Sequence, residues 1–289
     1  MRQFKRKRVI LFIGFVCAAY IAWLFILEFQ EEQTPALYFF DVGQGDSALL
    51  MLPKRTQILI DGGPDQKVLA GLSRALPFFD RHIELVILTH PQLDHFGGLI
   101  EVLERYSVGV VLLNGREGTA AAYQDFLRAL RERNVPTRVV REGEEIRLGN
   151  ALLSILNPDE ISLQAEGLND AGIVVMVSLG GVRMLFTGDI SAKTEKELAE
   201  QYELRADILK VPHHGSKYSS SDIFLDAVEP KIALIGVGKN SYGHPTREAL
   251  ARLASHGSQI FRTDLNGMLK VVFGNGTISV FGEKIPVVQ

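Results

Sequence analysis

Cysteine is nearly absent: Cys17 is the only one in 289 residues. That excludes a disulfide framework and any thiolate-rich zinc module. Glycine and proline follow no collagen-like period, and no internal repeat of fixed length is visible. Charge is missing altogether from Val9 to Leu27. Beyond residue 8 there is no long Lys/Arg track, so non-specific duplex binding by charge alone is disfavoured. The net charge of −3 combines +5 in residues 1–8 with −8 in residues 28–289. What is present, 46% hydrophobic and 22% charged residues, is the composition of a folded chain rather than a disordered one. The length suits one large domain.

The uncharged stretch Val9–Leu27 would span about 28 Å as a helix, close to the hydrocarbon thickness of a bilayer. Arg2, Lys5, Arg6, Lys7 and Arg8 precede it, and Glu28, Glu31 and Glu32 follow it. The positive-inside rule then predicts a single-pass cell-membrane protein. Residues 1–8 form its cytoplasmic basic segment, 9–27 a transmembrane anchor, 28–35 a linker, and 36–289 a domain outside the cytoplasm. A cleaved signal peptide is the alternative, but the run is long for one and no small-x-small site follows it.

Downstream, apolar runs bounded by turn residues predict strands at Leu37–Val42, Ser47–Leu52, Gln57–Asp61, Leu85–Thr89, Val108–Leu113, Thr137–Val140, Ala151–Leu156, Ile173–Leu179 and Val182–Phe186. Further strands are predicted near 206–211, 231–235, 258–262, 267–273 and 277–281. Helical patterns cover 65–76, Leu99–Arg105, Ala120–Arg133, and the regions near 191–201, 219–228 and 245–254. Gly180-Gly181 and Asn275-Gly276 are two-residue hairpin signals. Strands gathered toward both ends, with helices between them, predict an α/β fold of two sheets packed face to face and covered by helices.

Histidine and aspartate mark the chemistry. In Thr89-His90-Pro-Gln92-Leu-Asp94-His95-Phe-Gly-Gly98 an apolar strand runs into a loop that offers three metal ligands within six residues. Imidazole and carboxylate are what Zn²⁺ or Mn²⁺ accept when no thiolate is at hand. The plainer reading of Asp94 is a helix N-cap. Phe186-Thr-Gly-Asp189 ends another strand on one carboxylate, weak by itself because Asp commonly follows strands in turns. Leu209-Lys-Val-Pro-His213-His214-Gly-Ser216 places two adjacent histidines after a third apolar strand. One of them can ligate while the other supports it. Tyr242-Gly-His244-Pro opens a helix, where a His among backbone donors suits an anionic substrate, although a simple loop His fits too. His82 and His256 have solvent-like neighbours.

From Tyr38 to Gly276 the chain resembles the metallo-β-lactamase fold, a four-layer αβ/βα sandwich. It is most similar to the hydrolase domain of ComEC-type DNA-internalisation competence proteins. The stretches that carry the likeness are Phe40-Asp41-Val-Gly-Gln-Gly-Asp46-Ser47, Ile60-Asp61-Gly-Gly63, Thr89-His90…Asp94-His95-Phe-Gly-Gly98, Thr187-Gly-Asp189, Lys210-Val-Pro-His213-His214-Gly-Ser216 and Tyr242-Gly-His244-Pro245. The resemblance implies a metal-dependent hydrolase of phosphodiesters, in competence a nuclease for the strand that is not imported. In that family the domain is joined to a multi-helix channel. Here a single anchor precedes it, so a separate channel protein would be the partner.

Carried across residue by residue, the likeness puts His90, Asp94, His95, Asp189 and one of His213 and His214 at a centre of one or two Zn or Mn ions. Asp189 bridges if there are two. Asp94 and His244 take catalytic roles, while Ser216 and Lys217 are expected to contact substrate. Asp41, Asp46 and Asp61 read as turn and supporting carboxylates, with Asp61 able to hold a ligating His by its far nitrogen. Three departures weaken the His90 side. Gln92 stands where His or Asp is usual, Gly172 where Ser is usual, and Thr246 where a second His follows Tyr-Gly-His-Pro. Asp170, in Leu168-Asn-Asp170-Ala-Gly172, and Gln92 remain as substitute ligands. One firmly held ion is therefore expected, with a second weak or absent. The competing readings are a hydrolase of a non-nucleic-acid phosphodiester or a lactone, and a binding module whose metal site has decayed.

Overall fold

The computed structural model describes residues 12–23, 34–274 and 276–284. Residues 12–23 are helical (α1). Among the described residues no helix is long and apolar enough to cross a membrane. Residues 1–8, both flanks of the expected anchor (9–11 and 24–27) and most of the expected linker lie outside them, as does Asn275 of the last hairpin signal.

The remaining chain alternates strands and helices. The first half contains β1 (Ala36–Phe39), β2 (Ala48–Leu52), β3 (Thr56–Ile60), α2 (Lys67–Ala75), β4 (His82–Ile87), α3 (Leu93–Arg105), β5 (Ser107–Leu113), α4 (Ala122–Glu132) and β6 (Thr137–Val139). The second contains β7 (Glu145–Leu148), β8 (Ala151–Asn157), β9 (Val174–Leu179), β10 (Val182–Phe186), α5 (Ala192–Gln201), β11 (Ile208–Lys210), α6 (Asp222–Val228), β12 (Ile232–Ile235), α7 (Arg247–Ser255), β13 (Gln259–Arg262), α8 (Thr263–Asn266), β14 (Leu269–Gly274) and β15 (Thr277–Gly282). One sheet runs β15-β14-β1-β2-β3-β4-β5-β6 and the other β13-β12-β11-β10-β9-β8-β7. The chain thus returns at its end to complete the first sheet, with β14 antiparallel to β1.

Burial explains the layering. Along β1, Leu37 and Phe39 are buried between the sheets while Tyr38 faces outward, the two-residue period of a strand. Ile58, Ile87, Val175, Met184 and Phe273 join them in one inter-sheet core. A second apolar cluster, with Leu72, Phe96, Val102 and Phe126, lies under α2, α3 and α4. A third, with Leu198, Phe224, Leu225 and Leu253, lies under α5, α6 and α7. The result is helices, sheet, sheet, helices. Strands such as β9 and β12 are covered on both faces and so read as nearly unbroken apolar runs.

β7 and the short α8 were not expected, and β4 starts earlier than expected. β7 is a short edge strand, Glu-Ile-Arg-Leu, whose charged residues face solvent and hide its period. β4 begins at His82 rather than Leu85, because the exposed His82 and the buried Ile83 already pair with β5. The Gly180-Gly181 turn has φ of 60° and 81°, the left-handed pair that a tight hairpin needs.

Candidate metal centre

Five segments converge at one edge of the two sheets. The β1–β2 loop brings Asp46, the loop after β3 brings Asp61, and the β4–α3 loop brings His90, Asp94 and His95. From the second sheet, the turn after β10 brings Asp189, and the tight turn after β11 brings His213 and His214. Two glycines allow the approach. A Cβ on Gly45, beside Asp46, would lie 2.4 Å from the Asp94 carbonyl oxygen. Gly188 takes φ 53° against Thr89, which turns the chain so that Asp189 faces inward.

Asp46, His95, Asp189 and His214 are all buried, and each offers one ligand atom within 4.8 Å of all the others. His95 is fixed from behind: its Nδ1 donates to Asp61 Oδ2 at 2.8 Å, which leaves Nε2 facing the centre. That Nε2 lies 3.5 Å from Asp189 Oδ2 and has no hydrogen-bond partner. Asp61 also accepts from the Thr89 backbone N–H and hydroxyl, both at 2.8 Å, and holds a left-handed φ of 58° to do so. His214 is fixed likewise, its Nδ1 donating to the Gly236 carbonyl at 2.8 Å. Its Nε2 is 3.3 Å from both Asp94 Oδ2 and Asp189 Oδ2. Consecutive left-handed backbone at His213 (φ 50°) and His214 (φ 53°) lets adjacent imidazoles line one cavity.

Lys210 was not anticipated. Its buried ammonium pairs with Asp46, donates to the Gly188 carbonyl at 2.7 Å, and lies 3.2 Å from Asp189 Oδ1. Asp46 and Asp189 overcome burial and keep it charged. Asp46 itself, expected as a supporting carboxylate, stands inside the group of candidate ligands.

The electrostatics are those of a cation site. Burial alone would depress His95 and His214. Asp189 with Asp61 raises His95 well above the ordinary imidazole value, and Asp189 with Asp46 raises His214 to about 10. Burial opposes ionisation of Asp189, yet His214, Lys210 and His95 hold it well below the usual carboxylate range. Four carboxylates (Asp46, Asp61, Asp94, Asp189) lie within 4.0 Å of His95 against the one ammonium of Lys210, so a divalent cation that displaces the imidazole protons meets net negative charge. Two imidazole nitrogens and two carboxylates form a donor set that suits Zn²⁺ or Mn²⁺. Together with the unpartnered Nε2 of His95, this makes the site fit a metal ion.

The other expected residues are placed as follows. Asp94 lies on the first turn of α3 and contacts His214. His90 is buried, its Nδ1 3.0 Å from the Thr89 hydroxyl and its Nε2 unpartnered. Burial, with His95 beside it, holds it down to about 4. It stands outside the group of four. Gln92 donates to Asn169 Oδ1. Asp170 turns away: its carboxylate accepts from the Ser191 backbone and the Thr194 hydroxyl at 2.9 Å each, tying down the start of α5. Thr246 is the N-cap of α7, accepting from Ala249 N. His213 and His244 meet edge to face at 5.6 Å, and with Asp94, Asp189, His214 and Gln92 line a cavity of about 350 Å³. Burial lowers both, and His213 lowers His244 further. Ser216 is buried, with its hydroxyl accepting from Tyr218 N. Lys217 is exposed, lies over the Tyr218 ring and does not line the cavity.

This fold and this centre are those of a large class of hydrolases, and the chain belongs to the metallo-β-lactamase superfamily, whose family model matches residues 41–239. Within it, the chain is similar to ComEC-type competence proteins. It is 28% identical to ComE operon protein 3 of Bacillus subtilis over 93% of this chain and 37% of that one. It is 32% identical to competence protein ComA of Neisseria gonorrhoeae over 87% of this chain and 34% of that one. The chain thus spans about a third of the length of these relatives. The solved structure of the metallo-β-lactamase fold protein YhfI from Bacillus subtilis matches 82% of this chain and 99% of its own, with a TM-score of 0.56 at 13% identity.

Proposed function

We propose that the protein is a membrane-anchored, metal-dependent phosphodiesterase that cleaves DNA outside the cytoplasm, working in DNA uptake beside a separate channel protein. The observation that carries the hydrolytic part is the buried group Asp46, His95, Asp189 and His214 opening on a histidine-lined cavity. These four residues would hold one Zn²⁺ or Mn²⁺, and His90 marks the place of a weaker second ion. Held there, such an ion would supply the chemistry of lowering the pKa of water toward ~7, which would provide a hydroxide nucleophile.

The chain's own residues do the rest. Asp94, on the first turn of α3, orients the nucleophile from the cavity side. His244, neutral at pH 7, offers a ring N–H to a phosphoryl oxygen or takes up a proton. His213 packs edge-on against it and fixes its plane. Similarity to competence proteins supports DNA as substrate. The uncharged run Val9–Leu27 between basic and acidic flanks supports the anchor.

One observation favours a second reading, a compact phosphodiester or lactone that is not nucleic acid. Among the described residues no Lys or Arg lines the cavity, and residues 28–289 carry −8. The deciding experiment uses the full chain in detergent. Its metal content is measured by elemental mass spectrometry, and its cleavage of single-stranded DNA is compared with that of bis(p-nitrophenyl) phosphate. Bound metal with DNA cleavage supports the nuclease. Bound metal with hydrolysis of the small ester alone transfers the assignment to the second reading. No metal after incubation with excess Zn²⁺ and Mn²⁺ makes the protein a binding module.

A further inference from the structure

The two ends of the first sheet differ in kind. β1, β3, β4 and β5 run in one direction. Their far ends feed the loops of the metal centre. Their near ends receive the chain at Thr34, the Pro53–Arg55 turn, the loop 77–81 and Tyr106. Six residues of β4 put the two ends roughly 20 Å apart.

At the near end, Phe78 and Phe79 are 78% and 91% exposed and touch edge to face, ring centroids 5.1 Å apart. Neither belongs to any of the three apolar clusters. Charged residues of both signs share this end of the sheet. Lys54 and Arg81 are exposed, and α2, α3 and α4 each carry an arginine in the last turn, Arg74, Arg105 and Arg131. Glu283 and Glu101 pair with Arg74 and Arg105 on this surface. Asp80, Glu104 and Glu132 stand at the same end, so its charge is mixed, while residues 28–289 as a whole carry −8. Beside the aromatic pair, a cavity of about 780 Å³ opens between the outer face of β1 and the end of α2, with Thr34, Tyr38, Met51 and Leu76 in its wall.

We propose that this end of the domain rests on the lipid surface, Phe78 and Phe79 in the interfacial zone and the arginines among anionic headgroups. The proposal rests on the anchor proposed above. Given that anchor, six residues separate Leu27 from Thr34, and the seven Cα–Cα steps reach at most about 25 Å fully extended. The Thr34 end is therefore held near the bilayer whatever path the linker takes. Adjacent exposed aromatics with Lys54, Arg81 and Arg131 at the same end can partition into a headgroup layer. The metal centre then opens away from the membrane, toward whatever approaches from outside.

The test uses the full chain with Cys17→Ser, reconstituted in vesicles of phosphatidylethanolamine and phosphatidylglycerol. A nitrobenzoxadiazole probe is placed on Phe79→Cys, and in a second sample on Lys193→Cys, an exposed position of α5 near the metal centre. Doxyl-labelled lipid should quench the probe at 79 by about half and leave the probe at 193 unquenched. A chain that floats with the vesicles but is equally unquenched at both positions overturns the proposal and keeps the anchor. A blue-shifted yet unquenched probe at 79 also overturns it, in favour of a protein partner on the aromatic pair. A chain that does not float with the vesicles overturns the anchor, and the proposal with it.

Discussion

The two halves of the metal centre are built to different standards. On one side, Asp46, His95, Asp189 and His214 converge, and two of them are braced from behind by Asp61 and the Gly236 carbonyl. On the other, His90 is braced only by the Thr89 hydroxyl, and the residues that would complete its set are spent elsewhere. Gln92 bonds Asn169, Asp170 holds the start of α5, and Gly172 has no side chain. A ligand pair becomes a site when each member's free nitrogen or oxygen is aimed by a second bond.

The largest expected effect comes from His95→Ala. Structural zinc sites with four ligands hold ~10–16 kcal/mol, so losing one ligand should weaken metal binding roughly 10²–10³-fold. Metal titration and hydrolysis should fall together, with circular dichroism checking that the fold persists. His256→Ala should change neither, because that side chain pairs only with the Arg252 carbonyl, Ser255 and the exposed Asp222 and Asp226. Unchanged metal stoichiometry in His95→Ala would remove His95 from the ligand set. Next in size is Asp61→Asn, which keeps the shape but weakens the acceptor behind His95. Metal affinity should drop about 10–100-fold while the loop holding Thr89 keeps its place. Equal affinity would mean that Asp61 serves only the backbone.

Two smaller effects sharpen the contrast. Gln92→His restores an imidazole beside His90 and should raise the metal stoichiometry from one toward two, read by elemental analysis at saturating Zn²⁺. A stoichiometry fixed at one would place the deficit in Gly172 or Thr246 instead. The pH dependence has a definite sign. Metal-free His95 and His214 hold protons above their ordinary range, His214 up to about 10, and an incoming ion must displace them. Metal affinity should therefore rise with pH between 6 and 9, by roughly tenfold per unit for each proton released. By the same shift, the two charged histidines stabilise the metal-free fold below pH ~6.5. That contribution fades as pH climbs through the folded values. A flat affinity profile in calorimetry would contradict the electrostatics of the cluster.

Much of this was legible because strand ends announce themselves. An apolar run stopping at Thr89-His90, or at Phe186-Thr-Gly-Asp189, places its polar residues at a sheet edge, and that is where they stand. The reading of Asp61 as a carboxylate behind a histidine agrees with its bond to His95 Nδ1. Asp46 and Lys210 were harder. Each sits in a strand-and-turn context where Asp and Lys are ordinary, and only the meeting of the two sheets reveals them as partners. Asp170 misled in the opposite way. Its neighbours resemble a ligand loop, while its carboxylate is claimed by a helix that begins some twenty residues later. β7 escaped because an edge strand with alternate residues in water has little apolar signal to give.

Lys210 has a consequence for the order of events in the protein's life. A cation carried on the chain itself is present from the moment the strands assemble, and it cannot be chelated or diluted away. Asp46 and Asp189 are thus partly neutralised before any ion is loaded. Maturation then separates into two steps, assembly of the domain and later capture of metal, unlike small zinc modules that have no folded form without their ion. Stripping the metal should silence such a protein without unmaking it, so that metal supply, rather than synthesis, sets when it becomes competent to act.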